Sequence, residues 1–328
     1  MSTPRSAASQ NAPVADKDFA SDVEYYLALE PRQLPSRYLY DALGSALFNA
    51  ICELPWYRIT RGELDLLRTH GREIFAHSAP VSRIVELGPG NGSKLLTLIE
   101  AGRGRRRLDH KALDLHLIDV SARALDEATH ALALLDDVEI VKHQTTYESG
   151  LIEIARTRAR TLVLFLGSNI GNFDRPGANE FLRSIRAALE PGDDLLIGAD
   201  LVKPESELLL AYDDPLGVTA AFDRNLLVRI NSELGGNFDV DAFGHRAVWN
   251  RAESRVEMHL VSLRRQWVRI PCAHVDVTLK EGDTIWTESS YKYEPDELAV
   301  LLGRAGFRPV EHWLAGEERF LLTLARAE

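Results

Sequence analysis

The chain has 328 residues, of which 45% are hydrophobic and 27% are charged, and its net charge is −11. This length can bury a large core arranged in two lobes, and the acidity argues against nucleic acid, whose phosphates need a basic surface. No apolar stretch reaches the ~18–20 residues of a membrane span, no signal-peptide core begins the chain, and the two cysteines suit a reducing compartment. We therefore expect a cytoplasmic monomer without nucleic-acid or membrane partners.

The first residues differ in composition from the rest of the chain. Residues 1–19 are rich in Ala, Ser, Pro and Asp, which predicts a disordered tail. From Phe19 to Glu63 the apolar residues recur at helical spacing, and Pro55 ends the clearest run. Because this segment precedes the first strand, we expect it to extend the core domain rather than to found it.

Strands and helices alternate from Arg83 onward, which predicts a parallel, doubly wound sheet. The predicted elements are Ile84–Leu87, Leu113–Asp119, Ala122–Leu134, Val138–His143, Thr161–Leu166, Ala178–Leu189 and Asp194–Ala199. Thr161–Leu166 is continuously apolar, as a buried parallel strand requires. The sequence therefore predicts an α/β domain of the Rossmann-like class.

The alternation stops after Asp200. The expected elements there are helices and then strands of alternating polarity: Glu205–Asp213, Val218–Leu234, Arg246–Asn250, Arg255–Trp267 and Ala273–Leu279. Antiparallel strands do not continue a parallel sheet, so we interpret this stretch as an inserted second lobe of the α+β type. Near Tyr293 the chain returns to the first domain, with a predicted helix, Pro295–Ala305, and a terminal hairpin, Val310–Leu314 with Phe320–Ala325.

A glycine-rich turn, Glu86-Leu87-Gly88-Pro89-Gly90-Asn91-Gly92-Ser93-Lys94, follows the first strand. It fails as a phosphate-binding P-loop, because Ser93 stands where a glycine should precede the lysine. A dinucleotide fingerprint would also need a glycine at Ser93, which weakens NAD without excluding it. Glu86, Gly88, Gly90 and Gly92 fit E-x-G-x-G-x-G, the S-adenosylmethionine loop of Rossmann-like methyltransferases. A tight strand–helix turn without a ligand is the remaining alternative.

Ligands of doubly wound folds bind at the carboxyl ends of the strands. This rule gathers four stretches around one crevice: Gly88–Gly92, Asp119, Thr145–Tyr147 and Gly167–Asn172. Asp119 ends the second strand, where a carboxylate can accept hydrogen bonds from ribose hydroxyls, and the alternative role for it is a helix N-cap. It lies further from the glycine turn than the ~20 residues typical of this role, and we assign the extra length to the basic loop at 103–110.

Six further short sequence motifs occur along the chain: Tyr40–Phe48, Leu54–Arg61, Phe165–Asn172, Ala211–Asp214, Val218–Asn225 and Thr287–Ser290. They resemble the L-histidine Nα-methyltransferase family, the first enzyme of ergothioneine biosynthesis, from about residue 20 to the C-terminus. The resemblance implies trimethylation of the histidine α-amine to hercynine, with S-adenosylmethionine as methyl donor. It also implies a seven-stranded methyltransferase domain of residues 62–200 and 293–328, and a substrate-binding domain of residues 20–61 and 201–292.

The resemblance implies roles for individual residues as well. Asn172 and Tyr212 match the positions that hold the substrate carboxylate, and Gly167, Tyr40 and Tyr57 match the positions near the amine. Glu288 and Ser290 match the positions that bind the imidazole. Met258 matches a residue against the imidazole ring, and Thr219 matches one that acts through water. The cofactor-binding positions are Glu86, Gly88, Gly90, Gly92, Lys94, Asp119, Thr146 and Tyr147. Thr146-Tyr147 stands where the family usually has an Asp-Phe pair against the adenine, so we expect weaker cofactor binding.

The residue types fit methyl transfer to an amine even without the resemblance. Methyl transfer from a sulfonium requires a positioned, unprotonated amine and no metal, and the sequence contains no metal-ligand motif. The hydroxyls of Tyr40 and Tyr57 can hydrogen-bond an amine, and their ring faces can accept a quaternary ammonium. We therefore expect both tyrosines to orient the amine without acting as an obligatory strong base.

Glu288 stands in the apolar-aromatic stretch Ile285–Tyr291, where a carboxylate is costly unless it is paired. Strand alternation places Ser290 on the same face, so two polar groups point at one small ring, which fits an imidazole. Three rival functions stay open: an N-methyltransferase of another aromatic amino acid such as a tryptophan derivative, a nicotinamide-dependent oxidoreductase, and a non-catalytic S-adenosylmethionine-binding regulator.

Overall fold

The computed structural model describes residues 17–103, 112–154 and 159–328. Most of the expected tail and of the basic loop at 103–110 lies outside the described residues. The tail expectation is wrong at its C-terminal end, because helix α1 begins at Lys17 and the side chain of Phe19 is fully buried. None of the helices within the described ranges is both long and apolar enough to cross a membrane.

Helices form the N-terminal part of the described chain. They are α1 (Lys17–Leu27), α2 (Ala42–Glu53) and α3 (Ile59–Ser78). Asp41 starts α2 by accepting a hydrogen bond from the backbone N–H of Gly44 at 2.7 Å. The same carboxylate accepts from Asn225 at 2.8 Å, so the cap also ties α2 to the second half of the chain. This expected helical region is therefore confirmed.

A seven-stranded sheet forms the centre of the first domain, in the spatial order β11-β12-β5-β4-β1-β2-β3. Its strands are β1 (Arg83–Leu87), β2 (Leu113–Asp119), β3 (Val138–Gln144), β4 (Thr161–Phe165), β5 (Asp194–Asp200), β11 (Phe307–Ala315) and β12 (Phe320–Ala327). The first five strands are parallel, and β12 runs antiparallel to β5. All residues of β4 and β5 are buried, which explains the apolar interiors of both strands. The α/β fold class is confirmed.

Helices connect these strands and cover both faces of the sheet. They are α4 (Ser93–Arg103), α5 (Ala122–Leu132), α6 (Tyr147–Glu153), α7 (Arg175–Ala188) and α10 (Pro295–Arg304). The expected start of α7 at Ala178 is too late, because the Asp174 carboxylate caps the helix through the N–H of Gly177. The short helix α6 was not expected; Thr146 caps it.

The second lobe contains two helices and two small sheets. The helices are α8 (Glu205–Tyr212) and α9 (Val218–Leu234), and the strands are β6 (Phe243–Asn250), β7 (Arg255–Ser262), β8 (Gln266–Ile270), β9 (Val275–Leu279) and β10 (Thr284–Tyr291). One sheet has the order β10-β7-β6, and β8 pairs with β9 in the other. The expected single strand Arg255–Trp267 is wrong. The Ser262 hydroxyl donates to the carbonyl of Arg264 at 2.8 Å and closes a turn between β7 and β8.

We propose that the chain divides as expected, into residues 62–200 and 293–328 on one side and 20–61 and 201–292 on the other. The two sheets support this division, because the seven-stranded sheet uses only strands from the first set and the smaller sheets only strands from the second. The boundary at 61/62 falls within α3, which begins at Ile59. That helix is therefore shared by both parts.

A buried carboxylate fixes the N-terminal edge of the central strands. Asp194 opens β5, its side chain is fully buried, and it accepts hydrogen bonds from Arg160 at 2.9 Å and from Arg326 at 2.9 Å. These contacts join the start of β4, β5 and the end of β12. Loss of the carboxylate would leave two neighbouring guanidinium groups without the buried carboxylate that both contact.

We expect Asp194→Ala to lower the free energy of unfolding by roughly 3–5 kcal/mol, measured by urea denaturation. Asp65→Ala is the control, because Asp65 and its partner Arg68 are more than half exposed. An exposed ion pair contributes no more than about 1 kcal/mol. Equal losses in the two variants would contradict the structural role given to Asp194.

Candidate active site

A cleft of about 480 Å³ lies where the carboxyl end of β4 meets the second lobe. Nine of its lining residues were predicted for the substrate site: Tyr40, Tyr57, Gly167, Asn172, Tyr212, Thr219, Met258, Glu288 and Ser290. The structure therefore brings together every residue predicted for substrate binding or catalysis. The lining residues that were not singled out are Phe48, Ile51, Ile59, Ser168, Asn169, Ala211 and Phe222.

Aromatic rings form one wall of this cleft. The Tyr40 ring packs edge-on against Phe48 at 5.4 Å and against Phe222 at 5.5 Å, and the Tyr57 ring lies 6.2 Å from that of Tyr212. Burial raises the pKa of Tyr40 and of Tyr57 well above the ordinary value of 10.0. Both hydroxyls therefore keep their protons near neutral pH, and both act as neutral hydrogen-bonding groups.

Strands β10 and β7 form the opposite, more polar wall. Glu288 pairs directly with Met258 in the ladder, just after a bulge between Trp286 and Glu288. Burial, with the nearby charge of Asp223 second, raises the pKa of Glu288 to about 8. Asp223 itself is held by His245, whose Nδ1 lies 2.7 Å from the carboxylate. Near neutral pH, Glu288 is therefore largely protonated in the free cleft.

The hydroxyls of Tyr212 and Ser290 lie 2.8 Å apart at one side of the cleft. Behind them is the ammonium group of Lys292, which is 2.7 Å from the Tyr212 oxygen and 3.0 Å from Ser290 Oγ. Its third partner is the carboxylate of Asp200 at 2.8 Å. Neither charged residue was predicted, although Lys292 stands between two aromatic residues just after Thr287–Ser290, and this position is a signal of burial.

The loop after β4 is held by a carboxylate from α3. The backbone N–H of Gly167 donates to both oxygens of Glu63, at 2.9 and 2.8 Å. Gly167 has φ +78, and a Cβ atom there would lie 2.9 Å from Lys94 Nζ, so a side chain would crowd the lysine. Glu63 was not predicted as a site residue, because a glutamate within an amphipathic helix is usually exposed.

The glycine turn between β1 and α4 is open toward the ligand side. Gly90 has φ +55 and nothing within 4 Å of a Cβ position, so its backbone is accessible to a bound molecule. Gly92, by contrast, is pressed against α5, where a Cβ atom would lie 2.8 Å from Ala128. A Cβ atom on Gly88 would lie 2.5 Å from the Tyr147 hydroxyl. The glycine turn and Tyr147, the first residue of α6, are therefore in close contact.

Two carboxylates and a lysine flank this turn. Glu86 is 1% exposed, and within the described part of the chain its Oε2 has no hydrogen-bond partner. Burial raises its pKa to about 8. Lys94 forms an ion pair with Glu63 at 2.7 Å. An unsatisfied buried oxygen beside an open glycine turn fits a ligand that brings its own N–H or O–H donor.

The remaining predicted cofactor residues lie at the ends of β2 and β3. Asp119 accepts a hydrogen bond from the N–H of Ser121 at 2.8 Å, and it is Ser121, not Asp119, that caps α5. Thr146 accepts from the N–H of Ser149 at 3.3 Å as the cap of α6, so its hydroxyl is already engaged. The ring of Tyr147 lies 5.9 Å from that of Phe165, in a buried aromatic cluster.

Comparison with known proteins gives concordant matches. A family model described as "Histidine-specific methyltransferase, SAM-dependent" matches residues 19–327. The histidine N-alpha-methyltransferase of Mycolicibacterium smegmatis is 40% identical over 305 residues, which cover 93% of each chain. That of Mycobacterium tuberculosis is 39% identical over 307 residues, again 93% of each chain. Ergothioneine biosynthesis protein 1 of Neurospora crassa is 30% identical over 314 residues, which cover 90% of this chain and 33% of that protein.

The raised pKa of Glu288 makes stability depend on pH. The unfolded chain loses this proton near the ordinary value of 4.5, whereas the folded protein keeps it up to about 8. The folded state therefore holds the additional proton between these values, and its stability falls as pH rises through this window. Glu288→Gln removes the effect, because the amide does not ionise.

We expect Glu288→Gln to be more stable than the unmodified protein, with a gap in Tm that widens by at least about 2 °C between pH 5 and pH 8. Calorimetric scans at both pH values measure the gap. Glu253→Gln is the control, since Glu253 is exposed and no such widening is expected there. A gap for Glu288→Gln that stays constant with pH would show that this carboxyl group titrates normally.

Proposed function

The chain belongs to the family of histidine-specific, S-adenosylmethionine-dependent methyltransferases, and we propose on this basis that it methylates the α-amine of L-histidine to Nα,Nα,Nα-trimethyl-L-histidine, hercynine. The observation that carries the proposal is the convergence of nine predicted residues on one cleft beside the glycine turn. The relative from Neurospora crassa supports a place in ergothioneine biosynthesis.

The cleft offers a different group for each part of histidine. In our proposal Glu288 and Ser290 hydrogen-bond the imidazole on one wall, with Met258 against the ring. Tyr212 and Asn172 hold the carboxylate, and Thr219 acts through water. The amine then lies toward Gly167, on the side where Lys94 Nζ and the cofactor turn are nearest.

The residues around the glycine turn fit S-adenosylmethionine, which supplies the methyl group when bound. We propose that Gly88, Gly90 and Gly92 bring backbone close to it, and that Lys94 and Glu86 bind its amino-acid end. The Glu86 oxygen that has no partner among the described residues can accept from an ammonium, and the cationic Lys94 matches a carboxylate. Asp119 is proposed for the ribose, and Tyr147 and Thr146 for the adenine.

Because the hydroxyl of Thr146 caps α6, it is less available to the adenine than the carboxylate it replaces. We therefore keep the expectation that cofactor binding is weaker here than in relatives with the Asp-Phe pair.

The amine must lose its proton before each transfer. Tyr40 and Tyr57 are poor bases or acids at neutral pH, because burial keeps their hydroxyls protonated. We propose that they orient the amine by hydrogen bonds while its proton leaves to water. Their ring faces, with those of Phe48 and Phe222, then accept the growing quaternary ammonium by cation–π contact.

We further propose that transfer needs no metal ion, since attack of an amine on a sulfonium is a direct displacement. Among the described residues, Glu73, His77 and Glu311 could together hold a cation, but they lie on α3 and β11 and none of them lines the cleft. A cytoplasmic location is proposed on the two free thiols of Cys52 and Cys272, which suit a reducing compartment.

A direct assay tests the function. Incubation of the protein with S-adenosylmethionine and each amino acid in turn, followed by mass spectrometry, should give three successive methyl increments on histidine and none on tryptophan. The same assay after treatment with a chelator should give the same rate. Methylation of tryptophan or another aromatic amino acid in preference to histidine would refute the proposed substrate.

Glu288 is the residue on which recognition of the imidazole should depend most. Loss of a hydrogen-bond partner that leaves a buried polar group unsatisfied costs about 1–3 kcal/mol, so we expect Glu288→Ala to raise the KM for histidine roughly 10- to 100-fold. Discrimination against tryptophan should relax, because the site would no longer hold an unpaired carboxyl group against an indole. The KM for S-adenosylmethionine should not change.

The matched control is Ser289→Ala, since Ser289 is the next residue but does not line the cleft. Steady-state kinetics with histidine as the varied substrate measure both variants. If the KM for histidine is unchanged in Glu288→Ala, Glu288 does not bind the imidazole.

A further inference from the structure

Lys292 is fully buried, yet it lies directly behind the cleft. Its side chain is 0% exposed, and it follows the last residue of β10. Its ammonium group contacts the hydroxyls of Tyr212 and Ser290, which line the cleft, and the carboxylate of Asp200, which does not. An ammonium group has three hydrogens and no lone pair, so these three contacts use its full donor capacity.

These contacts determine how the two hydroxyls can bond. Each hydroxyl has one hydrogen, and each already accepts one hydrogen bond from Lys292. Because the two oxygens lie 2.8 Å apart, one hydroxyl donates to the other. One hydrogen is then left over, and the cleft is where it can point. The hydroxyl pair therefore presents a donor to the cleft, and its natural ligand is an acceptor.

The charges around Lys292 point to an anionic acceptor. Asp200 is 1% exposed and is shared by two lysines, since its other oxygen lies 2.7 Å from Lys203 Nζ. One carboxylate thus faces two ammonium groups. Burial lowers the pKa of Lys292, but the charge of Asp200 outweighs it and leaves the pKa raised, so the lysine is charged. Glu288, largely protonated near neutral pH, does not supply the missing negative charge.

We propose that Lys292 is a positioning residue that selects substrates with a carboxylate, because its two hydrogen bonds leave the hydroxyl pair of Tyr212 and Ser290 with one donor for the cleft and because it places an uncompensated positive charge behind that pair. The inference rests on the proposed function, in which Tyr212 binds the carboxylate of histidine. A buried charge without a counter-ion is costly, and the substrate carboxylate relieves this cost on binding. The same charge contributes nothing to an amine that lacks the carboxylate.

Lys203 provides a matched control. Both lysines pair with Asp200, but the other contact of Lys203 is the carbonyl of Glu318 at 2.8 Å, away from the hydroxyl pair. Lys292→Met and Lys203→Met therefore each remove one of the two ammonium groups and leave Asp200 with one partner. Only Lys292→Met removes the ammonium group that donates to the hydroxyls of Tyr212 and Ser290.

The experiment compares histidine with histamine, which has the same ring and amine but no carboxylate. Dissociation constants are measured by calorimetry on protein saturated with S-adenosylhomocysteine, with competition against histidine where histamine binds weakly. In Lys292→Met we expect histidine to bind about tenfold or more weaker and histamine to change less than about threefold. Lys203→Met also removes the excess charge, but the hydroxyls of Tyr212 and Ser290 keep their contacts with Lys292. The ratio of the two constants should therefore change clearly less in Lys203→Met than in Lys292→Met.

Equal losses for the two ligands in Lys292→Met, or the same change of ratio in Lys203→Met, would overturn the proposal, because either result assigns Lys292 a purely structural role. Unchanged affinity for histidine would overturn it as well. Lys292→Gln is the second variant, since it retains a polar side chain without the charge. If thermal unfolding shows that Lys292→Met does not fold, Lys292→Gln must show the reduced preference for histidine over histamine.

Failure of this inference can be told apart from failure of the proposed function. The unmodified protein must methylate histidine in the assay described above, independently of any variant. If it methylates another amino acid instead, the comparison is repeated with that amino acid and its decarboxylated amine. Loss of preference for the carboxylate in Lys292→Met would then support the role of Lys292 although the substrate is different.

Discussion

The Glu63 carboxylate connects the two halves of the site. It is wholly buried, and it binds the backbone of Gly167 on the substrate side and the ammonium group of Lys94 on the cofactor side. A buried carboxylate is tolerated only when such partners satisfy it, so the loop after β4 and the first turn of α4 must both be in place around it. The methyl donor and the amine are proposed to meet at this junction. Their relative position therefore depends on one side chain from α3, outside the central sheet.

Asp200 has a similar role at the end of β5. Its carboxylate holds Lys292 and Lys203, and its backbone N–H donates to the hydroxyl of Ser168 at 2.9 Å. The ends of β4 and β5 are thereby joined to each other and to β10 of the second lobe. In a parallel sheet these ends are adjacent, which is why ligands bind there. The inserted lobe is thus attached to the sheet by ionic contacts behind the cleft, and these contacts also set its electrostatics.

Sequence alone predicted the regular parts of this molecule well. The strand Leu113–Asp119 and the helix Val218–Leu234 have the predicted bounds, because alternation of apolar and polar residues in the strand and the glycines that flank the helix, Gly217 and Gly235, are local signals. The site residues were predicted through their resemblance to a family, and the structure brings those of the substrate site together in one cleft. Glu63 and Lys292 were not predicted. Their partners are distant in sequence, so the sequence does not show which groups these two charges pair with.

The chemical character of the cleft follows from the protonation and charge of its buried groups. Glu288 keeps a proton that it would lose in water, Lys292 faces more positive than negative charge, and the tyrosine hydroxyls are held in their neutral form. Histidine carries a complement to each of them: a ring nitrogen that can accept the proton of the glutamate, a carboxylate for the lysine and an amine for the aromatic wall. An indole has no ring acceptor and would leave that proton unpaired, and an amine without a carboxylate would leave the lysine without its second counter-charge. Selectivity for histidine can therefore arise from the cost of leaving either of these buried groups unmatched, rather than from the shape of the cleft alone.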